Sequence, residues 1–504
     1  MTDNATSLSE QRVKLAAKPG QTVLEALEEK GIYMDGGCFG TGRCGRCRVR
    51  FLFGAPLPTA GERQFFSAQE LRDGMRLACL HKCSREWEVS AAFVQSAETA
   101  IVTETISAQR GRGEEGLPGT TEESLRKDRC RNPEVQKEES FQIGIDLGTT
   151  TIAMQGRKRA DGSVTAQWTC MNPQRRYGSD VISRMAAAQS RGAIELALCV
   201  RKALAEGIRA VAEKAEDGAL EGIFLAGNTV MEHLLMGLDV TGLGSYPFRP
   251  VTLEEQSLEL DGKTVTVLPG LSAFVGADLL AGILFTGMHR RKEISLLIDL
   301  GTNGEMVLGN RESFLCTATA AGPAFEGGAD QTPGTDMIAV TAQLLEAGIV
   351  DETGLLQEPW FETGIDWETG NGKTIHISRE AIRAIQMAKA AVYAGICVLV
   401  KEYGISFADI DRVWLAGGFG YYLDVDAALK IGLFPACLKG RVKAVGNTSL
   451  GGTFCYAKEG DAQNGKQEAE AVRKACRAVN LAQHPDFEET YLAHMGFDRE
   501  GPEA

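Results

Sequence analysis

At 504 residues the chain is too long for one hydrophobic core, and its 44 % apolar and 24 % charged content is that of ordinary globular domains. A formal charge of −14 speaks against a nucleic-acid backbone as partner, because phosphate binding needs clustered positive charge. No run of about 18 apolar residues is there to span a bilayer, and MTDNATSLSEQRVK lacks the charged-then-apolar order of a secretion signal, so a cytoplasmic protein without a membrane partner is expected.

In the first ninety residues a strand, RVKLAA, leads through KPGQ into a capping box of Thr22 with Glu25, and Gly31 is the stop, which predicts a helix over 23–30. GGCFGTGRCGRC follows, then the strand CRVRFLFG. A second capping box, Ser67 with Glu70, opens a short helix before RLACLHKC and the strand REWEVSA. This order predicts an α+β domain over residues 1–93.

The 13 cysteines are odd in number and scattered, which is no disulfide framework. Only one group is dense. Cys38, Cys44 and Cys47 are spaced C-x5-C-x2-C, and Cys79 follows Cys47 after 31 intervening residues. Four thiolates are what a [2Fe–2S] cluster requires, and the interleaved glycines let the backbone turn tightly around the sulfurs. Arg43, Arg46 and Arg48 offset the negative charge of such a centre. A zinc knuckle is the alternative, but it needs a second close cysteine pair, which Cys79 and Cys83 match only loosely. The stretch resembles the [2Fe–2S] ferredoxins, which implies a β-grasp fold with Cys83 as a spare thiol.

From residue 94 to 140 large apolar residues almost vanish and charges mix, so this segment cannot bury enough surface to fold alone. A flexible tether is expected, spanning roughly 35–40 Å between its ends, with an inert Cys130. A loop packed on its neighbours is the alternative.

FQIGIDLGTTTIAMQ (141–155) and SLLIDLGTNGEMVLG (295–309) are two versions of one element: an apolar strand ending in Asp-Leu-Gly-Thr, a glycine turn and a second, alternating strand. GIFLAGNTV (222–230) echoes RVWLAGGFG (412–420), and AFVGADLLAGIL (273–284) has a loose counterpart in VGNTSLGGTFCYA (445–457). A duplicated α/β unit with a cleft between lobes 141–290 and 291–504 is expected. Glycine turns offer N–H groups to phosphate oxygens, and one Asp from each half could hold a hydrated Mg²⁺. GNGKT (370–374) is not a P-loop, because the required first glycine falls on Trp367.

These motifs resemble the ATPase superfamily of acetate and sugar kinases, heat-shock chaperones and actin. The resemblance implies an actin-like, ribonuclease H-like fold in which 144–151 and 299–305 are the two phosphate motifs. Asp146 and Asp299 are then the catalytic carboxylates. Gly148, Thr149, Thr150, Gly301, Thr302 and Asn303 contact phosphate, and Gly417, Gly418 and Gly420 form the adenosine motif; Glu326, in AAGPAFEGG, faces the nucleotide or else lies in a plain turn. The combination of a [2Fe–2S] ferredoxin domain, a linker and this ATPase resembles the reductive activators of corrinoid proteins. NPQRRYGSDVISRM (172–185) and GNTVMEHLLMGL (227–238) look characteristic of that family. It implies ATP-dependent transfer of an electron from a low-potential donor to the Co(II) corrinoid protein of a methyltransferase system, by a homodimer joined through the ATPase portion. Two other readings stay open: a small-molecule kinase with an accessory redox domain, and a nucleotide-binding redox sensor without turnover.

Overall fold

Both capping boxes form. Thr22 Oγ1 accepts from Glu25 N (3.2 Å) while the Glu25 carboxylate accepts from Thr22 N (2.7 Å), and Ser67 with Glu70 repeats the arrangement at the same distances. The computed structural model describes residues 10–92, 140–320, 334–458 and 464–497, except residues 31, 33, 35–41, 44, 46, 179, 216, 217, 302, 370, 371 and 373. The expected tether therefore lies outside the described residues.

The N-terminal domain comprises β1 (Glu10–Leu15), α1 (Val23–Glu28), β2 (Arg48–Phe51), α2 (Ala68–Arg72), β3 (Met75–Leu77) and β4 (Trp87–Ala92). Its antiparallel sheet runs β1-β4-β2-β3. Helix α1 is two residues shorter than anticipated, because Lys30 N and Ile32 N both turn back onto Leu27 O (3.0 Å each). Val13, Leu27, Val49, Leu77 and Val89 make the core. Glu62 is fully buried inside it and accepts from Thr59 N (2.7 Å), Leu77 N (2.7 Å) and His81 Nε2 (2.9 Å). Burial opposes ionisation of Glu62, yet these donors hold its carboxyl below the usual range.

The first of two larger sheets is built from β5 (Ser140–Leu147), β6 (Thr151–Lys158), β7 (Val164–Met171), β8 (Ala219–Gly227), β9 (Gln256–Leu260) and β10 (Lys263–Val267), with helices α3 (Val181–Arg191), α4 (Ala193–Lys214), α5 (Thr229–Met236) and α6 (Ala277–Thr286). The second contains β11 (Ile294–Leu300), β12 (Gly304–Gly309) and β13 (Phe314–Thr319). After α7 (Gly334–Glu346), the hairpin β14 (Ile365–Glu368) and β15 (Thr374–Ile377), and α8 (Arg379–Tyr403), the sheet resumes with β16 (Ile410–Ala416). Then come α9 (Gly417–Tyr422), α10 (Val425–Lys430), β17 (Val442–Gly446), α11 (Thr448–Tyr456), α12 (Gly465–Ala475), β18 (Cys476–Ala478) and α13 (Pro485–Ala493).

The sheet orders, β7-β6-β5-β8-β10-β9 and β17-β16-β11-β12-β13-β18, contain one motif twice. An antiparallel meander of three strands is followed by two strands parallel to its first. The duplication read in the sequence is thus a duplication of topology. One expectation fails: β12 does not alternate but is buried at every residue. Helices α6 and α8 both pack on it, so neither face is left to water. GNGKT runs between β14 and β15, and Thr374 opens a strand instead of the helix a P-loop needs. Among the described residues α8 is the one helix long and apolar enough to cross a membrane, but it is a core helix, packed through Ile382, Ile385, Val392, Ile396 and Leu399.

The two lobes meet through α6 and α11. A Cβ on Gly452 would overlap Ala281 O, and one on Gly282 would stand 3.1 Å from Thr448 Oγ1. The small residues that marked these helices in the sequence are what lets their backbones approach.

Candidate nucleotide cleft and cluster site

Each Asp-Leu-Gly-Thr motif delivers its aspartate to the C-terminal end of a central strand. In the first turn, Asn172 Nδ2 donates to Gly148 O (2.8 Å), Arg184 Nη2 to Thr149 O (2.6 Å) and Asn228 Nδ2 to Thr149 Oγ1 (3.0 Å). Arg184 is fully buried and also donates to Gly178 O (2.9 Å). Thr150 O accepts from Asn172 N (2.8 Å). The turn is held from behind by NPQRRYGSDVISRM and GNTVMEHLLMGL, which gives those two segments a physical purpose: they fix the backbone that would meet phosphate.

In the second turn Gly301 N donates to Asn303 O (2.9 Å); Thr302 and Glu326 lie outside the described residues. Strands β11 and β16 are parallel with Asp299 opposite Ala416, which brings Gly417 beside the aspartate. Gly417 has φ +83°, and a Cβ there would stand 2.5 Å from Asp299 Oδ1, so glycine is required on both counts. Gly418 and Gly420 continue α9, with Gly420 buried against Leu415. The Gly417–Gly420 turn and the second Asp-Leu-Gly-Thr turn are therefore neighbours.

Asp146 accepts from Ser449 Oγ and Asn447 Nδ2, both at 2.8 Å. Asn447 also N-caps α11 through Leu450 N (2.8 Å). Two further carboxylates, absent from the sequence-based set, join Asp146 and Asp299. Glu305 lies on β12 directly opposite Asp299, and Asp278 lies in the first turn of α6 and hydrogen-bonds Glu305. These acids are enclosed deep in the molecule, with Asp146, Asp278 and Asp299 keeping part of their surface open to the cleft. Burial, then the charges of Asp278 and Asp146, pushes Asp299 up to about 7. Burial and Asp146 push Asp278 to about 7 as well. Glu305 is raised well above the carboxylate range by burial, Asp278 and Asp299, and Asp146 is raised by burial against its two hydrogen bonds. Such a set stores repulsion that a cation would relieve. Among the described residues no three ligating side chains converge tightly enough for a bare ion.

At the other end of the chain, Cys47 and Cys79 are buried with their sulfurs 3.3 Å apart. Ala78 N donates to Cys47 O (2.8 Å), holding the two segments together. Gly45 has φ +68°, and any Cβ there would strike the Phe65 ring. Arg48 Nε closes the loop onto Gly45 O (3.0 Å). Cys38 and Cys44 lie outside the described residues. Cys83 is buried, and burial raises its thiol.

Three family models match the chain: the 2Fe-2S iron-sulfur cluster binding domain over residues 7–84, the RACo middle region over 141–291, and the C-terminal ASKHA domain of RACo over 293–333 and 331–504. The corrinoid activation enzyme RamQ of Eubacterium limosum is 30 % identical over 433 residues, covering 72 % of each chain. The chain belongs to this corrinoid-activator family. The [Co(II) methylated amine-specific corrinoid protein] reductase of Methanosarcina barkeri is 26 % identical over 240 residues, 37 % of this chain and 43 % of the relative. A solved reductive activator for corrinoid, iron-sulfur protein shares the fold, with a TM-score of 0.63 at 24 % identity over 96 % of this chain and 98 % of its own.

As a corrinoid activator the chain combines a [2Fe–2S] domain with an ATP-binding ASKHA domain. The adjacent buried thiols of Cys47 and Cys79 fit the cluster. Anaerobically purified protein should hold about two iron and two sulfide per chain. Cys79→Ser should lose most of that iron, whereas Cys83→Ser should keep it; iron and sulfide analysis reads the difference, and one zinc in place of iron would refute the assignment.

Proposed function

We propose that this chain is an ATP-driven activase that passes one electron from a low-potential donor to the Co(II) form of a corrinoid protein in a methyltransferase system, regenerating Co(I). Cys38, Cys44, Cys47 and Cys79 would hold the [2Fe–2S] cluster, which supplies one-electron transfer when bound. Asp146 and Asp299 would hold a hydrated Mg²⁺ beside the nucleotide phosphates, through its waters, in keeping with carboxylates that do not converge on a bare ion. Gly148, Thr149, Thr150, Gly301, Thr302 and Asn303 would bind phosphate. Gly417, Gly418 and Gly420 would seat the adenosine, with Glu326 facing it. A cytoplasmic homodimer joined through the ATPase portion completes the reading, on the strength of the family resemblance.

One observation carries it: Asp146 of the first lobe is held by Asn447 and Ser449, at the start of the helix that follows β17 of the second lobe. Occupying the cleft therefore acts on the joint between lobes, and a shift at that joint is what nucleotide can use to change affinity for a partner. The work required is within reach. Biasing a one-electron equilibrium by ~10⁴ takes about 5.5 kcal/mol, which at about 59 mV per decade is roughly 240 mV.

The test mixes the full-length protein with a Co(II) corrinoid protein and excess reductant, with ATP or without, following the cobalt spectrum. Co(I) should accumulate only with ATP and the intact cluster. Equal Co(I) formation without nucleotide would overturn the reading, and rapid ATP consumption with a hydroxyl compound but no response to corrinoid protein would favour a kinase.

A further inference from the structure

Two apolar side chains of the cluster domain stand out into solvent, Phe53 at 78 % and Leu57 at 89 % exposure. They sit on the uncharged stretch LFGAPLPTA, residues 52–60. The stretch is stiff as well as apolar. Arg76, itself buried, donates from Nε to Pro56 O (2.8 Å). Thr59 donates through N (2.7 Å) and Oγ1 (3.0 Å) to Glu62, and Arg85 donates to Gly54 O. An apolar pair on a pre-ordered loop gives up little entropy when covered.

Its position limits what can cover it. Cys47 immediately precedes β2, and Phe53 follows the far end of that strand. The four extended residues of β2, at about 3.3 Å each, put the patch at the opposite end of the strand, on the order of 13 Å or more from the cluster end. Electron transfer falls steeply with distance, so a redox partner gains nothing by docking there. Charge narrows the choice further. Residues 1–93 carry 13 Lys and Arg against 11 Asp and Glu, a net of +2, while the remaining 40 against 56 give −16. Exposed Arg50 on β2 and Arg63 just beyond the loop bracket the patch in sequence, and exposed Arg85 reaches it through Gly54 O. The acidic partner nearest to hand is covalently attached, at the high effective concentration of an intramolecular partner.

We propose that Phe53 and Leu57 seat the cluster domain on the acidic ATPase portion of its own chain, with the Cys47–Cys79 end left open to redox partners. This does not depend on corrinoid being the substrate.

Carbodiimide cross-linking of the full-length protein, read by mass spectrometry, tests it. Lys14 and Lys82 of the cluster domain should couple to ATPase carboxylates within one chain, at a yield independent of protein concentration and suppressed by 1 M salt, where screening is within about 3 Å. Phe53→Ser with Leu57→Ser should lower that yield about tenfold, the effect of losing one good anchor, with the visible spectrum unchanged. Arg50→Glu with Arg63→Glu is the second variant and should also lose the coupling. Yields unchanged in both variants would overturn the proposal, as would coupling that rises with concentration, which would assign the patch to a second copy. Retained coupling with slowed cluster reduction by flavodoxin would assign it to an electron donor and overturn it too.

Discussion

Asp146→Asn and Asp299→Asn should each lower Mg-ATP turnover about 10³-fold, the scale of losing one pre-organised electrostatic group at a reacting phosphate, while the visible spectrum of the cluster stays as it was. The two aspartates sit at equivalent positions in duplicated sheets, and their charge, not their shape, is what the substitution removes. A second signature separates Asp299 from a merely structural residue. Its carboxyl is held up at about 7 in the fold, against a value near 4 in an unfolded chain. Between those limits the folded protein binds more protons than the unfolded one, so nucleotide-free stability falls as pH rises through that window and levels off above it. Asp299→Asn should make that decline shallower without abolishing it, because Asp278 is also held at about 7, and Mg-ADP should oppose it by supplying the positive charge. Thermal unfolding from pH 5 to 8 reads both; an unchanged slope in the variant would show that Asp299 does not titrate there.

What could be read from the sequence was what chemistry writes locally. Two capping boxes, two Asp-Leu-Gly-Thr turns and the cysteine spacing are short patterns whose residues act on their own neighbours. Asp278 and Glu305 were not legible, because nothing beside them in the chain marks them. Glu305 enters the cleft only through hairpin register, directly across from Asp299. Asp278 enters because α6 begins where the backbone of Gly276 packs on Gly227 and Asn228. A single acid in an otherwise apolar strand, GEMVLG, was the one available hint. Arg184 and Asn172 belonged to a segment that had looked family-like without a reason. The reason is tertiary: both reach back to hold the first Asp-Leu-Gly-Thr turn.

Gly417→Ala is the change of least bulk from which a large loss is expected, about 10²-fold in ATP turnover, comparable to misplacing a reacting group by an ångström. The added Cβ would stand 2.5 Å from Asp299 Oδ1 and 3.2 Å from Leu300 O, while the backbone at φ +83° disfavours any L side chain. Three adjustments are available. Asp299 can rotate away, the β11–β16 pairing can open, or α9 can shift; the first displaces the carboxylate proposed to hold the hydrated cation and the last moves the glycines proposed to seat the adenosine. Each would change nucleotide handling before it changes the fold, because α9 is a short helix at a sheet edge of the cleft while Leu415 and Trp414 of β16 stay buried. The variant should therefore unfold within a few degrees of the parent yet bind and hydrolyse ATP poorly. Gly440→Ala, at a similar φ of +81° but with nothing within 4 Å of the added Cβ, is the control and should lose far less. Nucleotide titration calorimetry and turnover on both variants decide it: equal activity in Gly417→Ala and the parent would mean that Asp299 does not need its place beside α9, and would remove the proposed link between the second Asp-Leu-Gly-Thr turn and the Gly417–Gly420 turn.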